Sequence, residues 1–443
     1  MGQGWQGELP IDPVQLMIDE SVSVFDCETP DAPRLIASFG VYDDGQARLR
    51  QFSSSASGDP FCPFLALFTR GCSDAVVSPN SDGTYFVSDF APSGWGARFI
   101  ARQLLQKRKS VPSSPIGWLA QSSSFGSGRV VTCSDNSGAP KFTKVDTRLS
   151  AFSPGLLDNF YSFVQLPGQH LDDGSLSLLR PGCDLGAVRP KALITYEGCE
   201  HIVKFGLPED QFDVPVAEYA TLRLAYLAGI AVPSFELVEI GSRSALVIER
   251  FDRTATGGRI HYLSSYSLLN LPVVQGDDSH YMAKYSYAGL AEALESNNTC
   301  GPSVGPDLFR RMIFNIMVGN IDDHLRNHAV LMKEPGILEL SPAFDLCPQI
   351  EGPFRSQSIG VGAQGRASTV LNALSQCSRF QLTWHEAKTI FGQVKDALSA
   401  WRQTFREAGA SAGDLRRLTP CFAVADEPDA TTVNIQFEKR ALT

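Results

Sequence analysis

The spacing of apolar and polar positions divides the chain into a strand-rich first half and a helical second half. From Val22 to about Phe86, short β-prone runs (Val22–Phe25, Leu35–Tyr42, Ala47–Phe52) are broken by turn signals such as Asp43-Asp44-Gly45, which predicts strands and hairpins. Asp89–Arg98 then turns into a short helix over 99–105. Lys107–Pro115 reads as a basic Pro/Ser linker and Gln121–Gly128 as a flexible loop or an interaction edge, while 134–182 has too little periodicity to assign. Further strands are predicted over Ala192–Tyr196, His201–Phe205, Ser234–Ile240 and Ser244–Ile248. Between them lies one strong helix, which Pro215 opens, Ala217, Ala220, Leu224, Leu227 and Ala228 face inward, and Gly229 stops.

After Gly257-Gly258 the period becomes helical. Helices are predicted over 286–295, 307–318 and one long segment, 384–407. Leu308, Phe309, Met312, Ile313, Ile316 and Met317 form the stripe of the second. Ala387, Ile390, Phe391, Val394, Ala397, Leu398, Trp401 and Phe405 form that of the third, with Thr383 and Glu386 as its capping box. From Asp426 onward an irregular or loosely docked tail is expected.

Composition narrows the class. With 443 residues, 43% hydrophobic and 19% charged, the chain can bury full cores in two or three lobes without metal or disulfide staples. A net charge of −10 and a pI near 5.3 argue against a broad nucleic-acid-binding face. Ten scattered cysteines show no zinc spacing and read as reduced thiols. The N-terminus lacks a signal pattern and no apolar run approaches membrane-spanning length, so a cytoplasmic protein is expected.

Candidate chemistry sits mainly in Gly319-Asn-Ile-Asp322-Asp323-His324-Leu-Arg-Asn327, followed eighteen residues later by Asp345 in Leu340-Ser-Pro-Ala-Phe-Asp-Leu346. An Asp, an Asn five residues on and a later Asp is the order in which phosphotransferases place a base and two metal ligands; an acidic turn after a helix is the plainer reading. The turn from Asp184 through Leu185, Gly186, Ala187, Val188 and Arg189 to Lys191 could let backbone N–H groups approach phosphates, or be an ordinary hairpin. Lys204, in Ile-Val-Lys-Phe, is either a phosphate-binding lysine or an edge-strand lysine facing water. Glu218 is either its partner or a surface acid favoured by the helix dipole. Glu249 and Phe251 stand where a strand leaves one lobe for the next, as a hinge residue or a charged strand end would.

In combination these stretches resemble the HipA-like serine/threonine kinases of bacterial toxin–antitoxin systems. The matching residues are Gly186-Ala-Val-Arg-Pro-Lys191, His201-Ile-Val-Lys204-Phe205, Glu218-Tyr-Ala, Glu249-Arg-Phe-Asp-Arg253, His261-Tyr-Leu-Ser264, the Gly319–Asn327 stretch and Leu340–Leu346, with Trp384-His-Glu-Ala and Trp401-Arg beyond. The resemblance implies an α+β, bilobal protein-kinase-like fold: an N-terminal β-rich subdomain over 1–110, an N-lobe with phosphate loop and ATP lysine over 111–250, and an all-helical C-lobe over 251–443. It implies ATP and Mg²⁺ as cofactors. Asp322 would deprotonate the acceptor hydroxyl, and Asn327 and Asp345 would hold the metal. Lys204, His324 and the 184–191 turn would face the phosphates, and Glu249 and Phe251 the adenine. Asp323 is the rival of Asp322 for the base. A protein substrate is implied, the family including kinases of aminoacyl-tRNA synthetases, and with no helix-turn-helix evident any DNA-binding antitoxin would be a separate chain. A small-molecule or lipid-headgroup kinase shares every one of these residues, and a non-catalytic nucleotide-binding module is a third reading. One departure is visible. The family commonly has an autophosphorylated serine at the start of the phosphate turn, where Cys183 or Asp184 stands here, with Ser175 and Ser177 upstream.

Overall fold

Alternation with period two builds the first sheet. Val22 and Val24 turn to one face and join the main core with Ile36 and Val130, while Phe25, Cys27 and Val131 pack on the other. The structure, a computed structural model, describes residues 16–29, 31–42, 47–52, 76–77, 89–112, 115–134, 138–140, 142, 145–166, 168–186, 189–269, 283–296, 301, 303–334, 337–350 and 355–422. Strands β1 (Leu16–Asp26), β2 (Arg34–Tyr42), β3 (Ala47–Phe52), β4 (Val76–Val77) and β5 (Val130–Ser134) form an antiparallel sheet in the order β4-β3-β2-β1-β5. Because β5 pairs with β1 from Val22↔Ser134 to Asp26↔Val130, the first sheet draws a strand from beyond residue 110, where the sequence places a boundary. A buried ion pair fastens that strand: Arg129 donates to both Asp26 oxygens, and Arg34 adds a 2.8 Å bond to Oδ2.

The segment 134–182, unassigned from sequence, contains two capped helices, Pro154–Gln165 and Asp173–Leu179. Ser153 Oγ accepts from Leu156 N at 3.2 Å and Asp172 Oδ1 from Ser175 N at 2.9 Å. With helix Gly94–Gln106 they bury Trp95, Phe99, Phe160, Phe163, Leu176 and Leu179 against the second sheet. That sheet comprises β6 (Lys191–Tyr196), β7 (Cys199–Phe205), β8 (Phe235–Ile240) and β9 (Arg243–Glu249), antiparallel in the order β6-β7-β9-β8. Helix Val214–Leu227 contacts β7, β8 and β9 and starts at Asp213, whose Oδ1 accepts from Val216 N.

Helix Val304–Val318 is the axis of the second half. Leu308, Phe309, Met312, Ile313, Phe314, Ile316, Met317 and Val318 are all fully buried, so the apolar surface is wider than the one stripe predicted, as suits a helix crossing a core. It ends at Gly319, whose φ of 69° is left-handed and whose Cβ, if present, would lie 2.9 Å from the Cys421 carbonyl. Helices Tyr287–Ser296 and Trp384–Leu398 flank it. The predicted 384–407 helix is two helices, with Trp401–Glu407 restarting after Ser399-Ala400, and the Thr383/Glu386 capping box is present. The apolar stripe runs on across the break because Trp401 and Phe405 pack on Phe422. This half also carries a small sheet of β10 (His261–Ser264), β11 (Ala329–Glu334) and β12 (Ile337–Leu340), so its helices are not alone. The tail from Asp426 lies outside the described residues. Among those residues no helix is long and apolar enough to cross a membrane.

The Gln121–Gly128 segment is an anchor. Its carbonyls at Phe125 and Gly126 accept from Arg250 at 2.7 and 2.9 Å, and Arg259 donates to those of Gly126 and Gly128, each at 2.7 Å. Asp252 takes up part of this charge, accepting from Arg250 and from the Gly128 N–H. Guanidinium forks bonded to carbonyls tie the N-terminal sheet to the strand exit at Glu249–Arg253.

Candidate active site

Lys204 lies in a central strand. Its neighbours are Lys191 on β6 and Leu246 on β9, which removes the edge-strand reading. Only 10% of its side chain is exposed, and its Nζ donates to Glu218 Oε1 at 2.5 Å and to Asp345 Oδ1 at 2.8 Å. Glu218, 4% exposed, is therefore the lysine's partner rather than a surface acid. Burial alone would depress the Lys204 ammonium, but the charges of Asp345 and Glu218 more than reverse this and hold it above the ordinary value. Lys204 in turn holds the Asp345 carboxyl well below the usual carboxylate range, whereas burial pushes Glu218 up. Asp345 has φ 60°, a left-handed backbone that costs most side chains about 1–2 kcal/mol. The side chain it aims is 42% exposed, toward the cleft.

That cleft, of about 620 Å³, is lined by Leu185, Gly186, Arg189, Lys191, Lys204, Glu218, Glu249, Phe251, Asp322, His324, Asn327 and Asp345. Twelve of the residues proposed from sequence thus meet in one place. Phe251 approaches Phe344 at 5.6 Å between ring centroids, so the strand exit touches the segment bearing Asp345. Asp322 is exposed at the cleft wall and Asn327 is 7% exposed. His324 Nδ1 is buried with no hydrogen-bond partner among the described residues.

Asp184 must be set aside as a ligand. Its side chain is fully buried, accepting from Ser123 N at 2.5 Å, from Ser123 Oγ and, at 3.3 Å, from Arg180. Its carboxyl points into the protein while Leu185 and Gly186 face the cleft. Ala187 and Val188 lie outside the described residues. Arg189 reaches the cleft, but both terminal nitrogens donate to Asp210, at 2.8 and 2.7 Å.

Asp323, the rival for the base, is 1% exposed and bonded to Tyr287, Asn315 and His328. It faces the core. Sequence reasoning also missed Asp89 as a site residue: it borders the cleft, and its carboxylate accepts from Ser264 N at 2.9 Å and Ser264 Oγ at 2.7 Å and pairs with Arg326 at 3.2 Å. It ties the N-terminal segment to the Asp322 loop. No spacing rule links residues so far apart in sequence.

Asn327 and Asp345 give a hard cation two oxygen donors, and among the described residues no cluster of three or more His, Cys, Asp or Glu makes a self-sufficient metal cage. That donor set fits Mg²⁺, which is typically held by one or two protein groups together with substrate phosphates.

Lys191 is 8% exposed, beside Lys204. Burial, then the Lys204 charge, lowers it from 10.5 to about 8. Between about 8 and 10.5 the unfolded chain binds a proton that the folded chain does not, so stability rises with pH across that window. Below it the penalty of the buried charge is fully present. Lys191→Met is expected to gain on the order of 1–3 kcal/mol over the parent at pH 7, the advantage shrinking by pH 10. Melting curves from pH 7 to 10 check this, and a constant difference would count against it.

Comparison with known proteins bears on the family and the fold. Residues 183–401 match the HipA-like C-terminal domain family. The chain is 28% identical over 191 residues to the serine/threonine-protein kinase toxin HipA of Shewanella oneidensis, covering 38% of this chain and 43% of that protein. It is 30% identical over 171 residues to a putative kinase of Sinorhizobium fredii, covering 35% and 39%. The matches therefore span about two-fifths of either relative's length. Among solved structures, that of the Shewanella oneidensis MR-1 HipA, HipB and operator DNA complex gives a TM-score of 0.63 at 16% identity, over 91% of this chain and 96% of the other. The α+β, kinase-like fold is that of HipA, and the segment 183–401 belongs to the HipA-like C-terminal domain family.

Proposed function

We propose that the chain is an ATP- and Mg²⁺-dependent protein serine/threonine kinase of the HipA type, a toxin that arrests growth by phosphorylating a cellular protein. The observation that carries this reading is Lys204, held between Glu218 and Asp345 in the cleft that Asp322 and Asn327 also line. Asp322 orients the acceptor hydroxyl and takes its proton. Lys204 neutralises phosphate charge, and His324 faces the phosphates from the cleft wall. Asn327 and Asp345 would hold Mg²⁺, which when bound neutralises charge on the β- and γ-phosphates. Glu249 and Phe251 face the adenine. Catalysis then rests on positioning and preorganised charge rather than on a covalent intermediate. A separate DNA-binding antitoxin is the proposed partner, by analogy with HipB, and the cytoplasm the proposed compartment.

The test is to incubate the purified chain with Mg²⁺, γ-labelled ATP and a bacterial lysate. Label is expected on a protein serine or threonine. Label confined to small molecules would overturn the protein acceptor, and no transfer to any acceptor the kinase reading itself.

A further inference from the structure

Arg189 and Asp210 form a contact at this cleft that the proposed chemistry does not use. The two parallel bonds, of 2.8 and 2.7 Å, are a fork-to-fork pair. Its members come from different elements. Arg189 stands two residues before β6, which pairs with the Lys204 strand, and Asp210 three residues before Asp213, the N-cap of the helix that carries Glu218. The carboxylate is held in advance: Asp210 Oδ2 also accepts from Leu207 N at 2.7 Å, and only 9% of the side chain is exposed. Closing the fork therefore sets the start of the helix against the start of the sheet. Glu218 lies on the second turn of that helix, so a small tilt there moves it relative to Lys204.

We infer that Asp210 is a positioning residue that, by clasping Arg189, holds the Val214–Leu227 helix where Glu218 can grip Lys204. Arg189 is then a structural tether and not a phosphate ligand. This rests on the proposed kinase reading for its activity readout, but not for its stability readout. Displacement by about 1 Å at a reacting site costs up to 10²-fold, so losing the clasp is expected to lower kcat roughly tenfold or more while KM for ATP changes little.

Arg189→Ala, Asp210→Ala, the double alanine variant and the swap Arg189→Asp/Asp210→Arg would be compared by ATP kinetics with Mg²⁺ and by melting without nucleotide. Both single variants should lose kcat alike, the double variant should be no worse than either, and the swap should recover part of the loss. A phosphate-ligand role predicts the opposite split: Arg189→Ala raising KM, Asp210→Ala harmless or binding ATP more tightly, and the swap as poor as Arg189→Ala. That pattern would overturn the inference. Additive losses in the melting data would also overturn it, with no reference to catalysis. If the parent chain transfers no phosphate, the kinase reading fails, and non-additive melting with swap rescue still establishes the clasp.

Discussion

Asp322→Asn is expected to bind ATP as the parent chain does and to transfer phosphate roughly 10²–10⁴-fold more slowly, the usual contribution of a positioned base. Asparagine keeps the shape of the side chain and removes the charge that, in the proposed mechanism, accepts the hydroxyl proton. Because Asp322 is exposed at the cleft wall, the exchange should leave the melting temperature nearly unchanged. Growth arrest on expression should vanish with the transfer. Asp345→Asn makes the complementary test. Asparagine tolerates the φ of 60° at this position, so the backbone survives, but Lys204 loses one of its two carboxylates. With Asp345 as the proposed Mg²⁺ ligand, losing its charge should cost several kcal/mol of transition-state stabilisation, about a thousandfold, together with the Mg²⁺ dependence of nucleotide binding. Single-turnover transfer and calorimetric ATP titration, with and without Mg²⁺, separate the two variants. Equal growth arrest by Asp322→Asn and parent would exclude the toxin mechanism proposed here.

Where local pattern decides structure, the sequence could be read. The helix stops at Gly229 and Gly319, the Thr383 capping box and the strands around Lys204 follow from turn chemistry and period, and once these are placed the two lobes face each other across the predicted residues. The failures have different causes. Leu156, Leu157, Phe160, Phe163 and Val164 recur at helical spacing behind Ser153-Pro154, so that helix was legible and was hidden only by the irregular sequence before it. Asp184 was not legible: which side of a short turn carries its carboxylate depends on Ser123 and Arg180, and no neighbouring residue announces either. The same holds for Arg189 with Asp210, and for the carbonyls of 125–128 waiting for Arg250 and Arg259. Contacts between distant segments are the product of the fold, so they appear only with it.

Asp322 and Asp323 are chain neighbours, yet their replacement should fail in opposite ways. Asp323 is 1% exposed and receives hydrogen bonds from Tyr287, from Asn315 Nδ2 at 2.9 Å and from His328 Nε2 at 2.8 Å. Asn315 passes the arrangement on, accepting from Asn320 Nδ2 at 3.0 Å, so the carboxylate fixes both ends of the loop that presents Asp322. Burial, with the Asp323 charge added, pushes the Tyr287 hydroxyl well above its usual pKa and keeps it a donor. Asp323→Ala strands three buried donors at once, a loss of about 3–5 kcal/mol, seen as a fall in melting temperature of about 3–5 °C for a chain of 443 residues. All three donors share Oδ2, so asparagine, with its amide oxygen at that place, should cost less than alanine. Activity should fall with the folded fraction, and below the melting transition kcat should drop further as the loop loosens. If Asp323→Ala melted with the parent chain while transfer disappeared, the two aspartates would have to exchange roles, and the base would be the buried one.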